Sequence, residues 1–170
     1  THSISSVLEK RRAIESIIGQ IKYLPVSERL EFTQKISEAA GVTPPSDLML
    51  TSAQITELHA GGMQIGAHTV SHPILARTEQ ADARREITDS KHFLEQLLQV
   101  PIGLFAYPNG KPGSDYLPEH ASLVRELGFD AAVSTAWGVA DHSTDAFQIP
   151  RFTPWDQSRL RFAIRLLRNF

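Results

Sequence analysis

The chain holds 170 residues, 41% hydrophobic and 21% charged, enough for one domain with a real core and unlike a disordered segment. A net charge of −2 leaves no basic footprint for nucleic acid or an anionic membrane. The absence of cysteine removes disulfides, thiolate nucleophiles and cysteine-ligated zinc together, and no apolar run approaches the roughly 18 residues of a membrane span.

Thr1 in place of methionine reads as a start after processing or inside a longer gene product, and no signal-peptide pattern follows it. Envelope and cytoplasm of a bacterium both stay open. From Ser5 to about Lys22, Val7, Ile14, Ile17, Ile18 and Ile21 fall at helical spacing, with Lys10, Arg11 and Arg12 on the polar side. Three clustered charges without an aromatic favour a helix packed on a core over one lying on a membrane. Leu24-Pro25-Val26 breaks the pattern, Ser27 is a candidate N-cap, and a second helix carries Leu30, Ile36 and Ala39 before Gly41 and Pro44-Pro45. Residues 1–47 thus read as a helical hairpin without a catalytic constellation.

Thr51-Ser52-Ala53-Gln54 is a capping box that announces a third helix, ended by Gly61-Gly62. Met63 to Ala67 is then a short apolar run leaving a tight turn, as a core strand does. His68-Thr69-Val70-Ser71-His72-Pro73 follows, and Pro73 continues neither a ladder nor a helix interior, so the segment reads as a loop at the carboxyl end of that strand. In α/β sheets that end is where ligands bind. Two imidazoles four residues apart on one such loop can bind a divalent metal such as zinc, with a third ligand still to be found.

The clearest helix runs from about Glu79 to Gln99, with Ile87, Leu94, Leu97 and Leu98 inward and Asp82, Arg84, Arg85, Glu86 and Lys91 mostly outside. Ile102 to Tyr107 reads as a second core strand, followed by a turn-rich loop, Pro108-Asn109-Gly110-Lys111-Pro112-Gly113. A helix from Ser114 to Leu127 is capped by Gly128, and Asp130 to Thr135 is a third strand. Strand, helix, glycine and strand in repetition predict parallel βαβ units, so the loops after the first two strands share one end of the sheet. Asp141, His142 and Asp145 in the loop from Trp137 to Phe147 offer a second metal site, although such closely spaced ligands in a polar loop are commoner as a solvated turn. Ile149-Pro150-Arg151-Phe152 reads as a short last strand, and a final helix from about Gln157 carries Leu160, Ile164 and Leu167 with four arginines.

Seven histidines at random would give some pair at this spacing roughly one time in four, so context must carry the motif. Gly66-Ala67-His68-Thr69-Val70-Ser71-His72-Pro73 resembles the His-Ser/Thr-x-x-His-Pro motif of the polysaccharide deacetylases, carbohydrate esterase family 4. The resemblance implies that His68 and His72 are metal ligands, usually of zinc, and that Thr69 steadies the loop. Without it, the two imidazoles read as caps on a surface loop. Phe105 to Gly110 resembles the family's third motif in part, with Ala106 at its arginine position and Asn109 at its aromatic position. On that resemblance Tyr107 walls the substrate groove, the Asn109 backbone N–H faces an oxyanion, and Arg151 orients a catalytic aspartate. His142 is the one candidate for the general acid.

The departures are as informative. The family's first motif, Thr-Phe-Asp-Asp-Gly, supplies the base aspartate and the carboxylate ligand, and no Asp-Asp pair occurs in these 170 residues. The expectation is therefore the carboxyl-terminal portion of a longer deacetylase: residues 48–170 as an α/β domain, a partial, distorted β/α barrel of the deacetylase type, and residues 1–47 as a helical insertion. The implied chemistry is metal-assisted hydrolysis of N-acetyl groups on an exopolysaccharide, a carbon–nitrogen bond outside peptides, with this segment nearly inactive alone. An uncovered sheet edge would invite self-association. The alternative is a carbohydrate-binding or scaffolding domain that kept the fold and lost the chemistry.

Overall fold

The computed structural model describes residues 2–152 and 155–169, with Thr1, Thr153, Pro154 and Phe170 outside the described residues. The chain forms two compact units, residues 1–49 and 50–170.

In the first unit, α1 (Val7–Ile21) begins with a capping box: Ser6 Oγ accepts from the Glu9 N–H, and the Glu9 carboxylate accepts from the Ser6 N–H at 2.9 Å. α2 (Val26–Ala40) starts at Pro25 and not at the expected cap Ser27. Pro25 holds the N-cap position with φ −51° and ψ 150°, which leaves Ser27 inside the first turn. Gly41 ends α2 in the left-handed conformation, φ 63°.

The second unit opens with α3 (Ser52–Ala60), where both arms of the Thr51/Gln54 capping box are present. After it come one 3₁₀ turn (Leu75–Arg77), α4 (Gln80–Leu98), β1 (Leu104–Ala106), α5 (Pro118–Glu126), β2 (Ala131–Val133) and α6 (Arg159–Asn169). β1 and β2 are parallel, with Phe105 opposite Ala132. A parallel bridge joins Ala67 to Phe105 on one side and another joins Val133 to Ile149 on the other. Four parallel rows therefore lie in the order Ala67, β1, β2, Ile149, and this is the α/β arrangement that alternating helices and glycines predict.

The expected strand from Met63 to Ala67 is reduced to the Ala67 bridge, in which Ala67 N–H donates to Leu104 O at 2.8 Å and Ala106 N–H to Ala67 O at 2.9 Å. Met63 is 60% exposed. A run with a ladder partner only at its last residue has little to hold it extended, and apolar composition cannot supply that partner. The expected last strand at Ile149 is likewise a single bridge.

The core lies between the rows and the helices. α4 presents Ala83, Ile87, Ser90 and Leu94 to it at helical spacing, and Phe105, Tyr107, Tyr116, Val124 and Phe129 fill the centre. Each fully buried large side chain contributes about 2–3 kcal/mol of transfer free energy. Lys91, expected outside, donates to the Leu127 and Gly128 carbonyls at 2.9 and 2.7 Å and lies over the Phe129 ring, so α4 caps the end of α5.

Candidate active site

His68 follows the Ala67 bridge directly, and its Nδ1 lies 2.6 Å from the Ala106 carbonyl oxygen at the end of β1. A carbonyl only accepts, so Nδ1 carries the proton, and in the neutral ring the lone pair is left on Nε2. That is the tautomer a metal ligand needs, with the second ring nitrogen held by a backbone acceptor. The His72 ring stands edge-on to it, with centroids 4.9 Å apart. Both side chains are exposed to solvent.

The loop between them is tightly bent. Thr69 and His72 have φ of 62° and 54°, left-handed values that cost a residue with a Cβ about 1–3 kcal/mol each unless the surroundings hold them. Thr69 Oγ1 donates to the His68 carbonyl at 2.5 Å. Glu86, placed among the outward residues of α4 by its periodicity, holds the rest: its carboxylate accepts from the Val70 and Ser71 N–H groups, each at 2.8 Å, and from Ser71 Oγ at 2.6 Å. The signal in the sequence is faint, a carboxylate on the inward-turning edge of a helix that follows the loop. Pro73, Ile74 and Leu75 are buried and anchor the outgoing chain.

The second loop starts two residues past β1, at Pro108. Asn109 and Gly110 are both left-handed, φ 58° and 78°, and a Cβ on Gly110 would lie 3.1 Å from the Thr135 nitrogen. Thr135 Oγ1 donates to Asn109 O at 2.9 Å, and Thr135 N–H to Gly110 O at 2.8 Å, which ties the turn to the end of β2. Among the described residues nothing accepts from the Asn109 backbone N–H. Ala76 N–H donates to Asp115 O at 3.0 Å and joins the segment after the histidines to this loop.

Tyr107, expected as a groove wall, lies in the core instead. It is 1% exposed, stacks on Tyr116 with centroids 3.8 Å apart, and donates its hydroxyl to Phe147 O at 2.9 Å. The alternation that buries Phe105 continues past Ala106, so Tyr107 turns to the same inward face and meets the Phe105 ring edge-on, with centroids 5.2 Å apart. Burial pushes the Tyr107 hydroxyl well above its usual pKa, and Tyr116 shifts the same way for the same reason.

Arg151 is two residues past the Ile149 row, at the same end of the sheet as both loops. It is exposed and lines a cavity of about 180 Å³ with Thr135, Trp137, Trp155 and Arg165. Among the described residues no carboxylate pairs with it. Asp141 accepts from the Ser143 hydroxyl and N–H and from the Thr144 hydroxyl, interactions that hold its carboxyl below the usual range. Asp145 is lowered first by the Phe147 N–H and pairs with Arg125 at 3.0 Å. These bonds make the segment a self-satisfied turn, with His142 exposed beside it. Among the described residues no group of three histidines, cysteines or carboxylates could hold a metal. The chemistry of the donor set therefore fits two of the ligands of a divalent metal and leaves the others to be supplied.

This arrangement has relatives among solved structures. The Streptococcus pyogenes deacetylase PplD in complex with acetate superposes with a TM-score of 0.58 at 28% identity, over 62% of this chain and 45% of that one. A polysaccharide deacetylase from Bacillus cereus, BC0361, shares the fold at 19% identity with a TM-score of 0.53, over 62% of this chain and 33% of its own. YxkH of Bacillus subtilis (strain 168), a protein named for polysaccharide deacetylase, is 24% identical over 102 residues, which are 60% of this chain and 35% of YxkH. The chain thus spans about a third of YxkH and under half of PplD. The polysaccharide deacetylase family model matches residues 27–132, from the first turn of α2 through the middle of β2 and across both histidines. Over more than half of its length, then, this chain is a member of the polysaccharide deacetylase family.

Proposed function

We propose that this chain supplies the two-histidine part of a divalent-metal site in a hydrolase that removes N-acetyl groups from a polysaccharide. The observation that carries the reading is the His68 Nδ1 to Ala106 O contact of 2.6 Å, with the His72 ring beside it, at the carboxyl end of the parallel rows. His68 and His72 would hold the metal through nitrogen, and zinc accepts such donors. A metal held there would polarise an acyl carbonyl and acidify a water. Thr69 keeps the loop closed onto the His68 carbonyl. The Asn109 N–H is directed from a rigid left-handed turn and would donate to the oxyanion. Arg151, at the same end of the sheet, would orient the carboxylate that acts as base. That carboxylate and the third ligand would come from outside these 170 residues, and the four rows would form one arc of a distorted β/α barrel. Alone, the chain would bind metal weakly and turn over negligibly.

A second reading is a carbohydrate-binding domain that lost the chemistry. What favours it is the absence, among the described residues, of any three-ligand cluster. Calorimetric titration with zinc separates the two. Binding by the chain that is lost in both His68→Ala and His72→Ala supports the metal site. Equal binding by all three proteins, or none by any, sinks it.

A further inference from the structure

We propose that Glu86 is a positioning residue of the histidine loop, fixing through Val70 and Ser71 the ring orientation that leaves His68 Nε2 available as a ligand. The inference rests on the metal reading only for its consequence, because the geometry stands without a metal. Glu86 is on α4, fifteen and sixteen residues beyond its partners, and all three contacts fall on the two residues between Thr69 and His72. Two consecutive N–H groups converging on one carboxylate oxygen make an anion cradle, and charge-assisted bonds of 2.6–2.8 Å are the strong class. The cradle sits inside the stretch whose ends are both left-handed. Release of the middle lets those two torsions relax, and the rotation moves His68 off the Ala106 carbonyl at one end and His72 off its buried proline at the other.

Neighbouring charges on α4 do not share this task. Asp82, one turn earlier, pairs with Arg85, and Arg84 pairs with Glu126 at 2.9 Å. Asp82→Asn is therefore a control for loss of charge on the same helix.

The test uses the whole chain and two independent readouts. Long-range proton–nitrogen correlation spectra report the tautomer of each histidine ring without any metal. In the unaltered protein His68 is expected to be protonated at Nδ1 alone. In Glu86→Ala, and to a smaller degree in the isosteric Glu86→Gln, the two tautomers should mix, while Asp82→Asn leaves them unchanged. Zinc affinity by calorimetry should fall about 10- to 100-fold in Glu86→Ala, the usual cost of removing an outer-shell partner. Unchanged tautomers in folded Glu86→Ala and Glu86→Gln overturn the inference. Should the unaltered chain bind no zinc, the metal reading falls, and the tautomer shift alone decides the role of Glu86.

Discussion

The imidazole of His68 is hydrogen-bonded to the carbonyl of Ala106, thirty-eight residues away on the neighbouring row, and the orientation of the candidate ligand is thereby tied to strand pairing as well as to its own loop. Ala106 already donates its own N–H to Ala67, so one residue of β1 fixes both the backbone entering the loop and the first ring in it. A ligand held by the sheet is preorganised in a way that a ligand held only by its loop is not.

This relationship separates two replacements of His68. The Nδ2 of an asparagine coincides with imidazole Nδ1 and can still donate to Ala106 O, but asparagine has no counterpart of Nε2. His68→Asn should therefore retain stability in urea and lose zinc binding. His68→Ala should lose zinc binding and also about 0.5–1.5 kcal/mol of stability, the net worth of one hydrogen bond. Equal stability of the two variants would show that the contact to Ala106 does not hold the ring.

Tyr107 gives the opposite pattern. Its hydroxyl satisfies the Phe147 carbonyl in a buried site, so Tyr107→Phe leaves an acceptor without a donor and should cost about 1–3 kcal/mol. Tyr107→Ala also removes the stack on Tyr116 and should cost about 3–5 kcal/mol. Zinc affinity per folded molecule should be unchanged in Tyr107→Phe, since the ring faces the core. A Tyr107→Phe protein of full stability in urea and lowered affinity for an N-acetylated oligosaccharide would return the residue to the groove wall.

How much of this could be read from residues alone depended on the range of the interaction. Thr51 with Gln54 and Gly41 are local devices, and each stands where spacing placed it. His68 and His72 sit at the end of a row because glycine before and proline after bound the segment locally. Glu86 was illegible because its partners lie on another element, and helical periodicity records only which way a residue faces, not what meets it there. Tyr107 failed for a different reason: the partial motif placed it on the groove, whereas strand alternation puts it on the inward face of Phe105, where Tyr116 and Phe147 meet it. The strand at Met63 needed a neighbour that the described residues provide only at Ala67.

The turn that carries Asn109 should be intolerant of a side chain at Gly110. An alanine there must adopt φ near 78° and place its Cβ 3.1 Å from both the Thr135 nitrogen and the Tyr107 oxygen, which are backbone atoms that cannot swing aside. Left-handed strain alone costs about 1–2 kcal/mol, and the contacts add to it. Gly110→Ala should lower the urea midpoint, whereas Gly113→Ala, also left-handed but with open space around it, should lose only the strain. Equal losses in the two variants would mean that Thr135 does not pack against this turn.

His120 gives the unit a specific acid sensitivity. The side chain is buried under the 3₁₀ turn, and its Nδ1 accepts from the Leu117 N–H at 3.0 Å, a bond that requires the neutral ring. Burial is the largest cause of its lowered pKa, with Glu119 and two backbone interactions partly opposing it. Above an unfolded value of 6.5 the ring is neutral in both states and the stabilisation is fully present. As pH falls below that value the unfolded chain takes up a proton that the folded chain refuses, so stability declines until the folded-state value is passed. Glutamine at this position can still accept from the N-cap N–H, as it does in a capping box, but does not titrate. The difference in unfolding free energy between the unaltered protein and His120→Gln should therefore be flat above about pH 7 and shift against the unaltered protein between about pH 6.5 and 5. The other histidines cancel in that difference, so parallel curves through the window would show that the ring takes up its proton in the fold as readily as it does in solution.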